Sequence, residues 1–80
     1  MATVHLPAGL IEYAGGVAVH VVDAPRVKEL IDILIERHPA LAGRFAQMAV
    51  AVDGEIHNDP DYLPVQPDSE VYLVPRIAGG

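Results

Sequence analysis

The stretch Val17-Ala18-Val19-His20-Val21-Val22-Asp23-Ala24-Pro25-Arg26-Val27-Lys28-Glu29-Leu30-Ile31-Asp32-Ile33-Leu34-Ile35-Glu36-Arg37-His38-Pro39 changes its period half-way along, and that change decides the fold. Its first six residues are β-branched apart from Ala18 and His20, with Val17, Val19 and Val21 on one face, which predicts a strand. From Val27 the spacing lengthens: Val27, Leu30, Ile31, Leu34, Ile35 and His38 make one helical stripe, with Lys28, Glu29, Asp32, Glu36 and Arg37 on the other side. Asp23-Ala24-Pro25 reads as the helix start. Proline is tolerated at the first helical position, and Asp23 complements the positive helix end. Pro39 stops the helix near His38, because proline lacks the N–H donor and clashes with the preceding turn.

Before this stretch, Ala2 to Pro7 alternates, with Val4 and Leu6 opposite Thr3 and His5, and predicts a first strand pairing antiparallel with the second. Ala8 to Ala14 is a helical turn or an irregular stretch, broken by Gly15-Gly16. After the helix, Ala40 to Gln47 is a connection, and Met48 to Asp53 is a small, apolar strand suited to a central position. Asp53-Gly54 signals a tight turn, Glu55-Ile56-His57 a short return strand, and Asn58 to Asp68 a loop rich in Asp and Pro. Glu70 to Val74 is the last strand, with Val71 and Leu73 on one face and Tyr72 and Val74 on the other, and Pro75 is expected to leave the sheet. A strand–helix–strand crossover returns parallel, so the order predicts an α+β fold in which a mixed sheet packs on one main helix. The valines, Leu6, Leu30, Leu34, Leu73 and Met48 are the expected core.

Eighty residues, 51% hydrophobic and 20% charged, suit one folded domain rather than a disordered chain. The absence of cysteine excludes disulfides, a cysteine nucleophile and cysteine-ligated zinc. A net charge of −6 argues against nucleic acid as a partner. No basic leader is followed by an apolar run, and no apolar stretch nears the roughly 20 residues of a membrane span, so a cytoplasmic protein is expected. His5, His20, His38 and His57 lack the spacing of a metal site. Asp59, Asp61 and Asp68 lack that of a calcium loop, and Gly15-Gly16 that of a phosphate loop. Ser69, the single serine, sits in no nucleophile motif.

What remains is the end of the chain, Val74-Pro75-Arg76-Ile77-Ala78-Gly79-Gly80. Its last two residues have no Cβ, so their backbone fits a slot too narrow for other dipeptides, and Gly80 is expected to offer a free carboxylate. Six residues from Pro75 reach about 20 Å, enough to enter a buried active site while a folded body stays outside.

The segment Pro67-Asp68-Ser69-Glu70-Val71-Tyr72-Leu73-Val74-Pro75-Arg76-Ile77-Ala78-Gly79-Gly80 resembles the MoaD/ThiS family of ubiquitin-like sulfur carriers. So do the helix opening Val27-Lys28-Glu29-Leu30, its exit His38-Pro39-Ala40-Leu41 and the strand and turn Val50-Ala51-Val52-Asp53-Gly54, so the likeness covers nearly the whole chain. The long first connection and the proline after the last strand bring it closer to the MoaD branch, the small subunit of molybdopterin synthase. Arg76 departs from that branch, which often has a second proline in the tail, and Arg26 stands where a capping Thr is common.

The resemblance implies a β-grasp domain over residues 1–74 and a flexible C-terminal diglycine tail over 75–80. It also implies that Gly80 is adenylated and then converted to a thiocarboxylate, with Gly79 completing the reactive end. Arg76, Ile77, Ala78, Pro75, Tyr72 and Val74 would contact partners. Arg76 either pairs with a partner carboxylate or is a solvated charge; Tyr72 and Val74 either form a docking patch or lie under the loop around Tyr62 and Leu63. The implied partners are a ubiquitin-activating-type adenylating enzyme (MoeB/ThiF-like), a persulfide sulfur donor and a sulfur acceptor such as the large subunit of molybdopterin synthase. ATP is used by the activating enzyme, and no cofactor or metal is expected on the chain. A covalent protein modifier, a sulfur donor for thiamin, cysteine or a secondary metabolite, and an inert β-grasp module are the competing readings.

Overall fold

Alternation at Ala2–His5 builds β1, which buries Ala2 and Val4 and turns Thr3 and His5 to the opposite face. The computed structural model describes residues 1–76. After Pro7 a single helical turn, α1 (Ala8–Ile11), runs into a 3-10 turn at Glu12–Ala14 and ends at Gly15, whose φ of 68° is left-handed and suits glycine. Then come β2 (Val19–Val22), α2 (Val27–Arg37), two more 3-10 turns at Pro39–Leu41 and Phe45–Gln47, β3 (Met48–Val52), β4 (Glu55–His57) and β5 (Glu70–Pro75).

The five strands form one sheet in the order β2-β1-β5-β3-β4. β1 and β5 lie parallel at its centre, with Val4 opposite Val71 and His5 opposite Tyr72. β2 pairs antiparallel with β1, and β3 antiparallel with β5, so β2 and β3 point the same way as the crossover through α2 requires. The mixed sheet and its one main helix are the α+β, β-grasp architecture expected above. Val27, Leu30 and Leu34 of α2 are buried against Val4, Val22, Val50, Val71 and Leu73 of the sheet. Each such side chain contributes about 1.5–3 kcal/mol by leaving water. Ile31 and Ile35 flank the stripe half-buried, as does Ile33, and Met48 packs at the core's margin. No described helix is long and apolar enough to cross a membrane.

Three expectations need correction. Val17, Val19 and Val21 share a face, but it is the outer one: they are 50%, 46% and 50% exposed, while Val22 and His20 are buried. His20 is tolerated inside because its Nε2 reaches the Val17 carbonyl at 2.8 Å. The helix begins at Val27 rather than at Pro25, with extended Arg26 before it. Pro25 and Arg26 are tied to the later loop by Val65 N–H donating to the Pro25 carbonyl and by a bridge between Arg26 and Pro64. The first helical amides, Val27 and Lys28, donate to the carbonyls of Leu63 and Asp61, so loop backbone rather than Asp23 satisfies them. Pro75 stays in the sheet opposite Met48. The adjoining bond is made by Arg76 N–H to the Gln47 carbonyl at 3.0 Å, so the N–H that proline lacks is not needed at that pair.

Candidate functional site

The last strand sets the geometry of the site. Val71 and Leu73 are buried against the helix side, so the two-residue period puts Tyr72 and Val74 on the open face of the sheet. The strand registers then align Val19, His5, Tyr72, Ala51 and Ile56 in one line across all five strands. Tyr72 is 46% exposed and Ile56 67%, so this line is an apolar surface interrupted by one histidine. The His5 ring stacks on Tyr72 with centroids 4.1 Å apart and planes 7° from parallel, and its Nε2 lies 2.8 Å from Glu70 Oε1. The loop around Tyr62 and Leu63 does not cover this patch: Leu63 packs into the core from the helix side, and the loop caps the start of α2.

Where β5 ends, Arg76 is held within the chain. Its guanidinium donates to the Asn58 carbonyl and lies 3.9 Å from Asp59 Oδ1, while its backbone is bonded to Gln47. Side chain and backbone together thereby hold Arg76 in place. Arg76 and Asn58 form a ridge between two grooves. One, of about 420 Å³, opens on the helix side over Ile31, Phe45, Met48 and Leu73, with Asp59, Asp61 and Tyr62 among its lining residues. The other, of about 240 Å³, includes Ala49, Ile56, Val74 and Pro75. Val74, Pro75 and Arg76 thus share the second groove, Tyr72 lies two residues earlier on the same face as Val74, and the remaining predicted site residues, Ile77, Ala78, Gly79 and Gly80, lie outside the described residues.

A second polar assembly braces the strand that carries the tail. Asp53 adopts a left-handed φ of 49° at the β3–β4 turn. Its Oδ1 accepts the Glu70 N–H at 2.9 Å and its Oδ2 the Ser69 hydroxyl at 2.8 Å. The Glu70 backbone donor first, and the Ser69 hydroxyl second, hold the Asp53 carboxyl below the usual carboxylate range. Ser69, buried, also accepts the Gln66 N–H, so the turn before β5 is closed around it. On the helix, the Asp32 carboxylate raises the Lys28 ammonium above its ordinary range. Among the described residues no group of three or more His, Asp or Glu side chains is placed to hold a metal ion.

The sequence places Tyr72 and Val74 on the face of β5 away from the helix, as the structure does, but does not show His5, Val19 and Ile56 as their neighbours or Asn58 and Asp59 as the Arg76 anchor. The outward phase of His5 was readable from the alternation of β1; its adjacency to Tyr72 depends on which strands pair, and no local pattern carries that.

The profile of the ThiS family matches residues 4–80 of this chain. The chain belongs to the ThiS family. This ThiS-family chain has the ubiquitin-like β-grasp fold of the solved structures it resembles. It is similar to a chain in the crystal structure of the Amycolatopsis orientalis BexX/CysO complex, at 24% identity with a TM-score of 0.87 over 100% of both chains. It is also similar to small archaeal modifier protein 1 from Haloferax volcanii, at 27% identity and a TM-score of 0.70, covering 99% of this chain and 98% of that one. A third likeness is to a Pyrococcus furiosus protein described as a candidate molybdopterin converting factor, subunit 1 (20% identity, TM-score 0.77, 95% and 97% covered). A comparison with curated proteins gave no match.

Proposed function

We propose that the chain is a cytoplasmic sulfur carrier of the MoaD kind, in which the Gly80 carboxylate is adenylated and then converted to a thiocarboxylate that supplies sulfur to molybdopterin synthesis. The observation that carries this reading is the family match, which runs through residue 80 and so includes the diglycine, combined with a strand end pinned at Arg76, two residues short of it. The folded body acts as a handle and the tail as the substrate, so catalysis belongs to the partners. A carboxylate is a poor electrophile until one oxygen joins a good leaving group. A MoeB/ThiF-like enzyme would use ATP to form the acyl-adenylate and release pyrophosphate. The terminal sulfur of a persulfide then forms the C–S bond as AMP departs. A thiol of the donor enzyme cleaves the resulting S–S bond, leaving the thiocarboxylate on Gly80 and a disulfide on the donor. The acceptor in this reading is the large subunit of molybdopterin synthase.

The chain contributes position and access. The open face around Tyr72 offers an apolar docking surface, and the acidic balance favours encounter with a basic partner. Gly79 and Gly80 leave room for the adenylating site to close over the acyl carbon. A second reading, covalent modification of proteins through attack of a lysine amine on the same adenylate, draws support from the likeness to the Haloferax modifier. Intact-mass analysis after incubation with the cognate adenylating enzyme, ATP and a persulfide donor separates the two. Replacement of one oxygen by sulfur supports the carrier, ligation to larger proteins supports the modifier, and an unchanged mass with no adenylate argues against both.

A further inference from the structure

We propose that the helix-side groove at the root of the tail is a docking slot for the enzyme that takes up the tail, filled by an apolar side chain flanked by a lysine or arginine. This rests on the sulfur-carrier reading. Its position is the first argument: Arg76, the last described residue, lines the groove, so the groove adjoins the point from which an enzyme takes up the end of the chain. Its chemistry is the second. The floor is Ile31, Phe45, Met48 and Leu73, and the volume of about 420 Å³ falls within the range of roughly 300–1,000 Å³ typical of ligand sites.

Charge at the lip selects the occupant. Of the residues lining the groove, Arg76 is the cation and is engaged by Asp59 at 3.9 Å; on the neighbouring helix start Arg26 pairs with Glu29 and Lys28 with Asp32 at 3.1 Å. Asp61, exposed on the lip, forms no salt bridge within 4 Å among the described residues; its charge acts on Lys28, which Asp32 already holds, so the rim keeps a net negative charge. Tyr62 beside it is 74% exposed, and the Arg26 guanidinium already lies 5.7 Å from its ring centroid, so the ring is one that a cation approaches. An apolar floor under an acidic, aromatic lip is complementary to an apolar side chain next to a cationic one. The outer-face patch around Tyr72 lies on the other side of the sheet, so the slot gives the partner a second grip.

The test is the initial rate of pyrophosphate release by the cognate adenylating enzyme with ATP, followed against carrier concentration for the wild type, Asp61→Lys, Asp61→Asn and Tyr62→Ala. All three substitutions are at exposed loop positions, and melting curves check that the fold is kept. For Asp61→Lys the KM for the carrier should rise about tenfold with kcat unchanged, since a contact equal in ground and transition states is lost. Asp61→Asn and Tyr62→Ala should each raise it several-fold, and added salt should narrow the gap between wild type and Asp61→Lys. A wild-type chain that is never adenylated would sink the sulfur-carrier reading and this one with it. Normal adenylation with KM unchanged in Asp61→Lys and Tyr62→Ala would sink the slot alone.

Discussion

Asp53 Oδ2 accepts the hydroxyl of buried Ser69 at 2.8 Å across the gap between the β3–β4 turn and the start of β5. With the Glu70 N–H on its other oxygen, this carboxylate ties the strand that carries the tail to the middle of the sheet. Its pKa is depressed in the folded chain, so it contributes stability that is fully present above the unfolded value and is lost as pH falls through the folded one. Asp53→Asn keeps the left-handed backbone conformation, which Asn tolerates, and removes the charge. The variant should be less stable than wild type at neutral pH, and the difference should shrink as pH drops below about 4, the ordinary carboxylate range. Urea melts across that window check it; a gap that stays constant with pH would contradict the assignment.

Ser69→Ala tests the same brace from its buried side. The substitution removes the acceptor of the Gln66 N–H and the donor to Asp53 while leaving the carboxylate charged. Loss of about 1–3 kcal/mol is expected from leaving a polar partner unsatisfied, read as a lower urea midpoint at unchanged slope.

The helix was legible in the sequence because its two sides differ: Val27, Leu30 and Leu34 are buried while Lys28, Asp32 and Glu36 face water. The face of β2 was not, because valines stand on both sides of it and hydrophobicity alone cannot say which side meets the helix. The helix start moved because Pro25 and Arg26 are held extended by residues nearly forty positions away, through Pro64 and Val65. Pro75 stayed in β5 because its place opposite Met48 needs no proline N–H, a fact of register rather than of composition. At the site, the alternation of β5 correctly separated Tyr72 and Val74 from Val71 and Leu73. The Arg76 anchor could not be read, since it depends on a main-chain carbonyl of Asn58, an acceptor that every residue type provides.

The burial of Leu34 sets a magnitude for the core. The side chain is fully enclosed, so Leu34→Ala removes apolar contact and leaves a void beneath the sheet. A loss of about 2–5 kcal/mol is expected, enough to unfold much of a domain of this size. Thermal or urea unfolding monitored by circular dichroism measures it. Exposed Glu36→Ala, on the same helix, should fall within about 0.5 kcal/mol of wild type.

Tyr72→Ala should separate docking from folding. The ring is 46% exposed and its main packing partner is His5, so the expected loss of stability is small, about 0.2–1 kcal/mol for a cross-strand pair. If the open face meets the adenylating enzyme, KM for the carrier should rise roughly tenfold, as for an aromatic contact at the centre of an interface. Equal KM values for wild type and variant, with melting unchanged, would remove Tyr72 from the docking surface.

Gly79→Leu puts the slot argument to its most direct test. The substituted position lies beyond Arg76, and no described residue of the sheet or core is altered, so stability should stay within about 0.5 kcal/mol of wild type. Activation is a different matter. A narrow site that must close on the Gly80 acyl carbon has no room for a Leu side chain one residue away, and a displacement of about 1 Å from the reactive geometry costs on the order of a hundredfold in rate. Adenylation and sulfur loading, followed by pyrophosphate release and intact mass, should fall by at least that factor for Gly79→Leu and by less for Gly79→Ala. Deleting Gly80 should abolish both steps, because the acyl group would then sit one residue short of its place. Loading and discharge of Gly79→Leu at the wild-type rate would overturn the requirement for a tail without side chains and leave the carboxylate alone as the feature the partner reads.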